Sequence, residues 1–225
     1  MDKETTIKVV VCGPVDAGKS SLIGVLNNEI LDDGRGKSRN TVLVHQHEID
    51  KGRTSNIKLN NFTQKSVNNG LDIFKNKKMV KRFDNTLDIK LHNKVISLID
   101  LAGHEKYLKT TVYGMLAYYP DYGIVVIGAN TGITKLTREH LGLMLYLNIP
   151  FTIVITKVDI APIKIYNNLI SRLTKLLRNI NKKLVFLNNK NDTKKFIMEN
   201  DYQKILVLSI SNNDGTNIDN LNFVL

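Results

Sequence analysis

The chain has 225 residues, 42% of them hydrophobic, enough for one sizeable core, yet no apolar run reaches the roughly 18 residues that a membrane-spanning helix needs. A net charge of +11 points toward a nucleic-acid partner, but lysine outnumbers arginine 25 to 7 and asparagine occurs 26 times, a bias that an AT-rich genome produces without selection for binding. The lone cysteine, Cys12, excludes an internal disulfide and suits a reducing, cytoplasmic compartment, and the acids in "MDKETTIKVV" exclude a signal or transit peptide.

Along the chain, apolar runs alternate with helix-like segments. "TIKVVVC" precedes "SSLIGVLNNEIL", "KVISLID" precedes "EKYLKTTVYGMLAYY", and "YGIVVIGA" precedes "TREHLGLMLYLN". "PFTIVITK" then precedes "YNNLISRLTKLLRNI", and "ILVLSI" precedes "NIDNLNFVL". Continuous Val/Ile/Leu runs separated by amphipathic segments predict an α/β fold: a mostly parallel central sheet with helices on both faces. Over 167–180 the helical stripe is Leu169, Ile170, Leu173, Leu176, Leu177 and Ile180, with Arg172, Lys175, Arg178 and Lys182 largely on the other side. Between Arg53 and Val95 the pattern fails, and this Asn-rich basic stretch reads as a strand followed by an insertion, at about 58–94, containing "KNKKMVKR" from Lys75 to Arg82. At the C-terminus, Thr216 or Asn217 is placed to cap a short helix, and its early end makes the chain read as one domain of a longer protein.

Three motifs carry chemistry. "GPVDAGKS" fits G-x-x-x-x-G-K-[ST] between a strand and a helix, through Gly13, Gly18, Lys19 and Ser20. Its glycines let backbone N–H groups and the helix N-terminus face phosphate, Lys19 bridges the β- and γ-phosphates, and the Ser20 hydroxyl ligates Mg²⁺. Val15, Asp16, Ala17 and Ser21 complete this nucleotide-binding run. In "VISLIDLAGHEKY", Asp100 ends a strand and faces the Mg²⁺ environment, Gly103 brings a backbone N–H to the γ-phosphate, and His104 follows directly as a candidate catalytic group. "TKVD", Thr156 to Asp159, lies at the end of another strand. There Asp159 can accept from the N1 and N2 donors of guanine while the Lys157 stem lies along the base; an adenine-specific site remains the alternative.

The order of "VDAGKS", "DLAGHEKYLKTTVYGM", "TGITKLTREHLGL" and "ITKVD" resembles the G domain of translational GTPases such as elongation factor Tu and its eukaryotic counterpart, over almost the whole chain. "LDDGRGKSRN", "HQHEIDKGRTSNI" and "DLAGHEKYLKTT" are similar to the eukaryotic group called GTP-binding protein 1 and 2. The resemblance implies a P-loop NTPase of Ras-like G-domain fold, followed by β-barrel domains outside this chain. It implies GTP/GDP and Mg²⁺ as cofactors, the ribosome as activator, and hydrolysis of GTP in which His104 positions the attacking water. Thr54 in "KGRTSNI" is implied as the threonine that ligates Mg²⁺ in the GTP state, and Ser209, Ile210 and Ser211 as contacts to the guanine O6 edge. Asp16 is implied either to hold a monovalent cation or to stabilise the loop.

The sequence departs from that family in three places. The base motif begins with Thr156 instead of asparagine, and a hydroxyl can keep part of the bracing. Arg53 stands where elongation factors carry an apolar residue that gates the catalytic histidine together with the valine matched by Val15. The insertion after Thr54 is longer and basic, so RNA binding there and near Arg172 to Lys183 stands beside the alternative of a merely solvated surface. The isolated domain is expected to be monomeric, without a membrane partner.

Overall fold

In the computed structural model the residues described are 6–42, 57–64, 94–186, 196, 201 and 203–225. The branched run Thr6–Cys12 forms β1, and its alternate residues part to opposite faces: Val9 and Val11 join one buried cluster, Val10 and Cys12 the other. The same division runs through β3 (Lys94–Asp100), β4 (Tyr122–Gly128), β5 (Phe151–Thr156) and β7 (Lys204–Ser209), which explains why these strands read as continuous apolar runs. The seven-stranded sheet has the order β2-β3-β1-β4-β5-β7-β6. It is parallel except for β2 (Lys58–Gln64), which pairs antiparallel to β3 at one edge, and the short β6 (Lys183–Phe186) closes the other edge.

On one face, α1 (Lys19–Asn28) contributes Leu22, Ile23, Val25 and Leu26 to the core, and the C-terminal helix adds Ile218 and Leu221. A single turn, α2 (Lys37–Asn40), follows α1 in the chain. On the other face lie α3 (Leu108–Tyr118), α4 (Lys135–Tyr146) and α5 (Ile163–Arg178), burying Met115, Leu141 and Met144, and Leu169, Leu173 and Leu177 respectively. Two details differ from the sequence reading. Ile180 lies beyond the end of α5 and is 43% exposed, so the buried stripe ends at Leu177. The last helix, α6 (Ile218–Val224), begins after Asn217 as its spacing implies, but the Asn217 side chain donates to Ser209 O at 2.8 Å instead of capping.

The chain leaves β1 for β3 on one side and reaches β4 on the other, so β1 marks a topological switch point. Ligands of such sheets bind in the crevice beyond the strand ends there. Of the stretch 58–94, the first seven residues are β2 and Lys94 opens β3. The basic cluster Lys75 to Arg82, Arg53, and Thr54, the threonine implied to ligate Mg²⁺, lie outside the described residues.

Candidate functional site

The loop between β1 and α1 is shaped by backbone demands. Gly13 has φ +149°, and a Cβ there would overlap the Val126 carbonyl oxygen on β4. Asp16 and Gly18 also take positive φ, which turns the chain into the N-terminus of α1. Lys19 is only 7% exposed, and its Nζ donates to Gly13 O at 3.0 Å and Pro14 O at 2.9 Å. Burial pulls the Lys19 ammonium below its ordinary range, opposed first by the charge of Asp100. The adjacent Cys12 thiol is pushed up to about 12 by burial, so it stays protonated and unreactive at neutral pH.

Beyond β3 the chain comes down on this lysine. A Cβ at Gly103 would overlap Lys19 Nζ and lie 2.7 Å from Gly13 O, so glycine alone permits the approach. Asp100 is fully buried in register with Val11 of β1, and Ser20 Oγ donates to its Oδ2 at 3.1 Å. A hydroxyl and a carboxylate at this distance form an oxygen donor pair suited to a hard divalent cation. Among the described residues no group of three His, Cys, Asp or Glu could hold a metal.

His104 is exposed at the cleft mouth. Its Nδ1 accepts from Lys106 N at 3.1 Å and so caps the 3₁₀ turn Glu105–Tyr107, which places the proton of the neutral ring on Nε2. The turn is tied to α4 by the exposed pair Lys135 to Glu105 at 2.7 Å.

At the base-motif end, Thr156 is fully buried and its hydroxyl donates to Ala17 O at 2.6 Å, bracing β5 against the phosphate loop. Lys157 takes φ +61°, and the exposed Asp159 receives Asn213 Nδ2 on its Oδ2 at 3.2 Å. Asn212 Nδ2 reaches Gly18 O at 3.4 Å. The resulting cleft, of about 510 Å³, brings together Val15, Asp16, Gly18, Lys19, Ser20, Ser21, Gly103, His104, Lys157 and Asp159.

Three expected base contacts fall elsewhere. Ser209 shares a 2.7 Å hydrogen bond with Tyr166 on α5, and Ile210 is fully buried. Ser211 is also fully buried, and its Oγ accepts from the backbone N–H groups of Asn213 and Asp214. The residues that line the cleft from this loop are Asn212 and Asn213, displaced because the chain stays buried through Ile210 and Ser211 after β7 ends at Ser209. Sequence reasoning missed them, and missed a further wall after α1 made by Asp32, Gly34, Gly36 and Arg39. It also missed His140 on α4, fully buried with neither ring nitrogen hydrogen-bonded. Burial first, and Lys19's charge second, push that imidazole down to about 4.

A glycine-rich loop between a parallel strand and a helix, with a buried lysine, a Ser–Asp oxygen pair and a glycine set upon them, defines a P-loop domain of the α/β class. The chain belongs to the elongation factor Tu GTP binding domain family, which it matches over residues 4–224. It is 40% identical over 230 residues to GTP-binding protein 1 of Xenopus laevis, covering 97% of this chain and 34% of that protein. To GTP-binding protein 2 of Mus musculus it is 40% identical over 172 residues, covering 76% of this chain and 28% of the relative. The chain thus spans about a third of the length of these relatives.

The fold is similar to that of a bacterial selenocysteine-specific elongation factor, with a TM-score of 0.61 at 20% identity over 96% of this chain and 27% of that one. It is also similar to elongation factor SelB of Methanococcus maripaludis in complex with the GTP analogue GPPNHP, with a TM-score of 0.58 at 20% identity over 99% of this chain and 33% of that one.

Proposed function

We propose that this chain binds GTP and GDP with Mg²⁺ and hydrolyses GTP to GDP and phosphate, serving as a nucleotide-dependent switch in translation-related work in the cytoplasm. The observation that carries the reading is the meeting of Gly103 with Lys19: the residue placed to sense a γ-phosphate sits directly on the lysine placed to bind it. The names of the relatives, a GTP-binding protein and selenocysteine-specific elongation factors, support the nucleotide and the setting.

In this mechanism Lys19 exchanges its carbonyl partners for β- and γ-phosphate oxygens and offsets their charge. Ser20 and Asp100 would hold Mg²⁺, which would supply further neutralisation of the phosphates. The Gly103 backbone and Thr54 register whether the γ-phosphate is present. His104 orients the attacking water, and release of phosphate frees the turn Glu105–Tyr107 from contact with the nucleotide. Asp159 selects guanine. A monovalent cation beside Asp16 belongs to the same proposal, as does the ribosome as activator. In a small GTPase an activator contributes on the order of 10⁵-fold, so slow turnover by the isolated chain agrees with the reading.

Single-turnover GTP hydrolysis by wild type and His104→Ala, each with and without ribosomes, tests it. The expected result is a slow rate stimulated by ribosomes and reduced by the substitution. Equal rates for the two proteins would remove His104 from the mechanism and leave a nucleotide-gated binding module. Equal competition by ATP and GTP for a fluorescent guanine nucleotide would remove the assignment of Asp159.

A further inference from the structure

The segment that leaves α1 is folded with unusual economy. Asp32 Oδ1 accepts from the backbone N–H groups of Asp33 at 3.0 Å and Ser38 at 3.2 Å, while Asp33 Oδ1 accepts from those of Arg35 at 2.8 Å and Lys37 at 3.2 Å. These backbone donors hold the Asp33 carboxyl below its ordinary range. Asp32 N also donates to Asn212 O at 2.8 Å, which anchors the segment to the base side of the cleft. At its other end Ser38 seats on α1: a Cβ on Gly24 would overlap Ser38 O and lie 2.6 Å from its carbonyl carbon.

The product of this knot is the placement of Arg39. Its guanidinium lies against Gly36, where an added Cβ would overlap Nε and come within 2.8 Å of Cζ, and where φ is +94°. Arg39 lines the same cleft as Lys19 and Ser20, and its Nε is buried without a hydrogen-bond partner. The nearby Asp32 and Asp33 Oδ1 atoms spend themselves on backbone N–H groups. A guanidinium that lines a cleft and whose Nε finds no acceptor among the described residues is suited to an acceptor that arrives with a ligand.

We propose that Arg39 is a phosphate-contacting residue of this site, its guanidinium donating to the phosphate oxygens of the bound guanine nucleotide. The proposal rests on the reading of the cleft as a guanine-nucleotide site. The planar fork of donors matches phosphate geometry, which the single ammonium of Lys19 does not. Seating Ser38 on the second turn of α1 places Arg39 beside the helix whose N-terminus closes the phosphate loop, which favours the phosphates over the base.

The test compares wild type, Arg39→Ala and Arg39→Lys in binding to GDP, by fluorescence titration, and to guanosine, by ligand-observed NMR. Arg39→Ala is expected to lose about 10- to 100-fold in GDP affinity with guanosine binding unchanged, and Arg39→Lys to recover part of the loss. The ligand-free melting temperature is expected to stay at the wild-type value, because the guanidinium does not hold the fold. Unchanged GDP affinity in Arg39→Ala, an equal loss for guanosine, or a lowered ligand-free melting temperature would each overturn the proposal. A wild-type protein that binds neither GDP nor guanosine would instead overturn the nucleotide reading itself, and this proposal with it.

Discussion

The two ends of the cleft are built by different means. At the phosphate end the decisive contacts are buried and involve backbone: Lys19 on two loop carbonyls, Gly13 against the Val126 carbonyl, and Gly103 against Lys19. At the base end they are made by short side chains near the surface, such as the 3.2 Å bond from Asn213 to the exposed Asp159. Thr156, fully buried, ties the two ends together through the Ala17 carbonyl, as Asn212 does through the Gly18 carbonyl. A site fixed by backbone geometry tolerates few substitutions, whereas several side-chain sets can present the same acceptors to a base. The phosphate end should therefore be the more easily destroyed.

The largest effect is expected at Lys19. Two charge-assisted hydrogen bonds to phosphate are worth about 1.5–3 kcal/mol each, so Lys19→Ala should weaken GTP and GDP about 10²- to 10⁴-fold. Equilibrium titration with a fluorescent guanine nucleotide measures this. A loss no greater than that of a base-end substitution would break the contrast between the two ends.

This contrast also governs what could be read from the sequence. The phosphate loop, Asp100 and Gly103 were legible because glycine and lysine at fixed offsets answer a backbone requirement that few other residues meet. The buried strands were legible because both of their faces are covered, so Val9 to Cys12 and Ile153 to Ile155 are apolar without interruption. The base end was legible only in part. Ser209 sits in an apolar run whose alternation turns its hydroxyl toward Tyr166 on α5, and the loop that reaches the cleft begins at Asn212, just past the serine pattern. The short β6 and the single turn α2 carry too few residues for periodicity to register, and β2, at the sheet edge, has only Leu59 and Phe62 as apolar residues. Arg39 was invisible for another reason: its position follows from the hydrogen bonds of two aspartates, which no spacing rule encodes.

The second effect in size is a pH dependence that originates near the phosphate end. His140 is buried near enough to Lys19 for that charge to depress its pKa, together with the larger effect of burial, to about 4. The unfolded chain takes up a proton near the ordinary histidine value of 6.5, and the folded chain only near about 4. Stability is thus complete above 6.5 and is lost as pH falls through that window, by up to about 3 kcal/mol. Denaturant melts of wild type and His140→Gln between pH 7 and pH 4 should show a steeper decline in the wild type. Parallel declines would mean that the phosphate end contributes no such buried titrating group.

At the joint between the two ends, Thr156→Val keeps the shape of the side chain and deletes the 2.6 Å hydrogen bond to Ala17 O. A buried carbonyl deprived of its donor costs about 1–3 kcal/mol, which urea denaturation should register as a lower midpoint with an unchanged slope. Because Ala17 belongs to the phosphate loop, affinity for GDP should fall in the same variant. A base-specific loss, with pyrophosphate binding intact, would show that the hydroxyl serves only the base end.

The smallest effect belongs to Asn213, whose side chain holds one oxygen of Asp159. A hydrogen bond of this exposed kind contributes about 0.5–1.5 kcal/mol, so Asn213→Ala should weaken GTP binding by about two- to tenfold. Its action is expected to be orientational: guanine offers two donors, N1–H and the N2 amino group, and both are satisfied only when the Asp159 carboxylate is held in one plane. Hypoxanthine offers the N1 donor alone, and a single donor tolerates a rotated carboxylate. The substitution should therefore weaken GTP more than inosine triphosphate and narrow the gap between them. Equal losses for both nucleotides would place Asn213 in direct contact with a group common to the two bases, and the base end would then depend on two independent contacts instead of one oriented carboxylate.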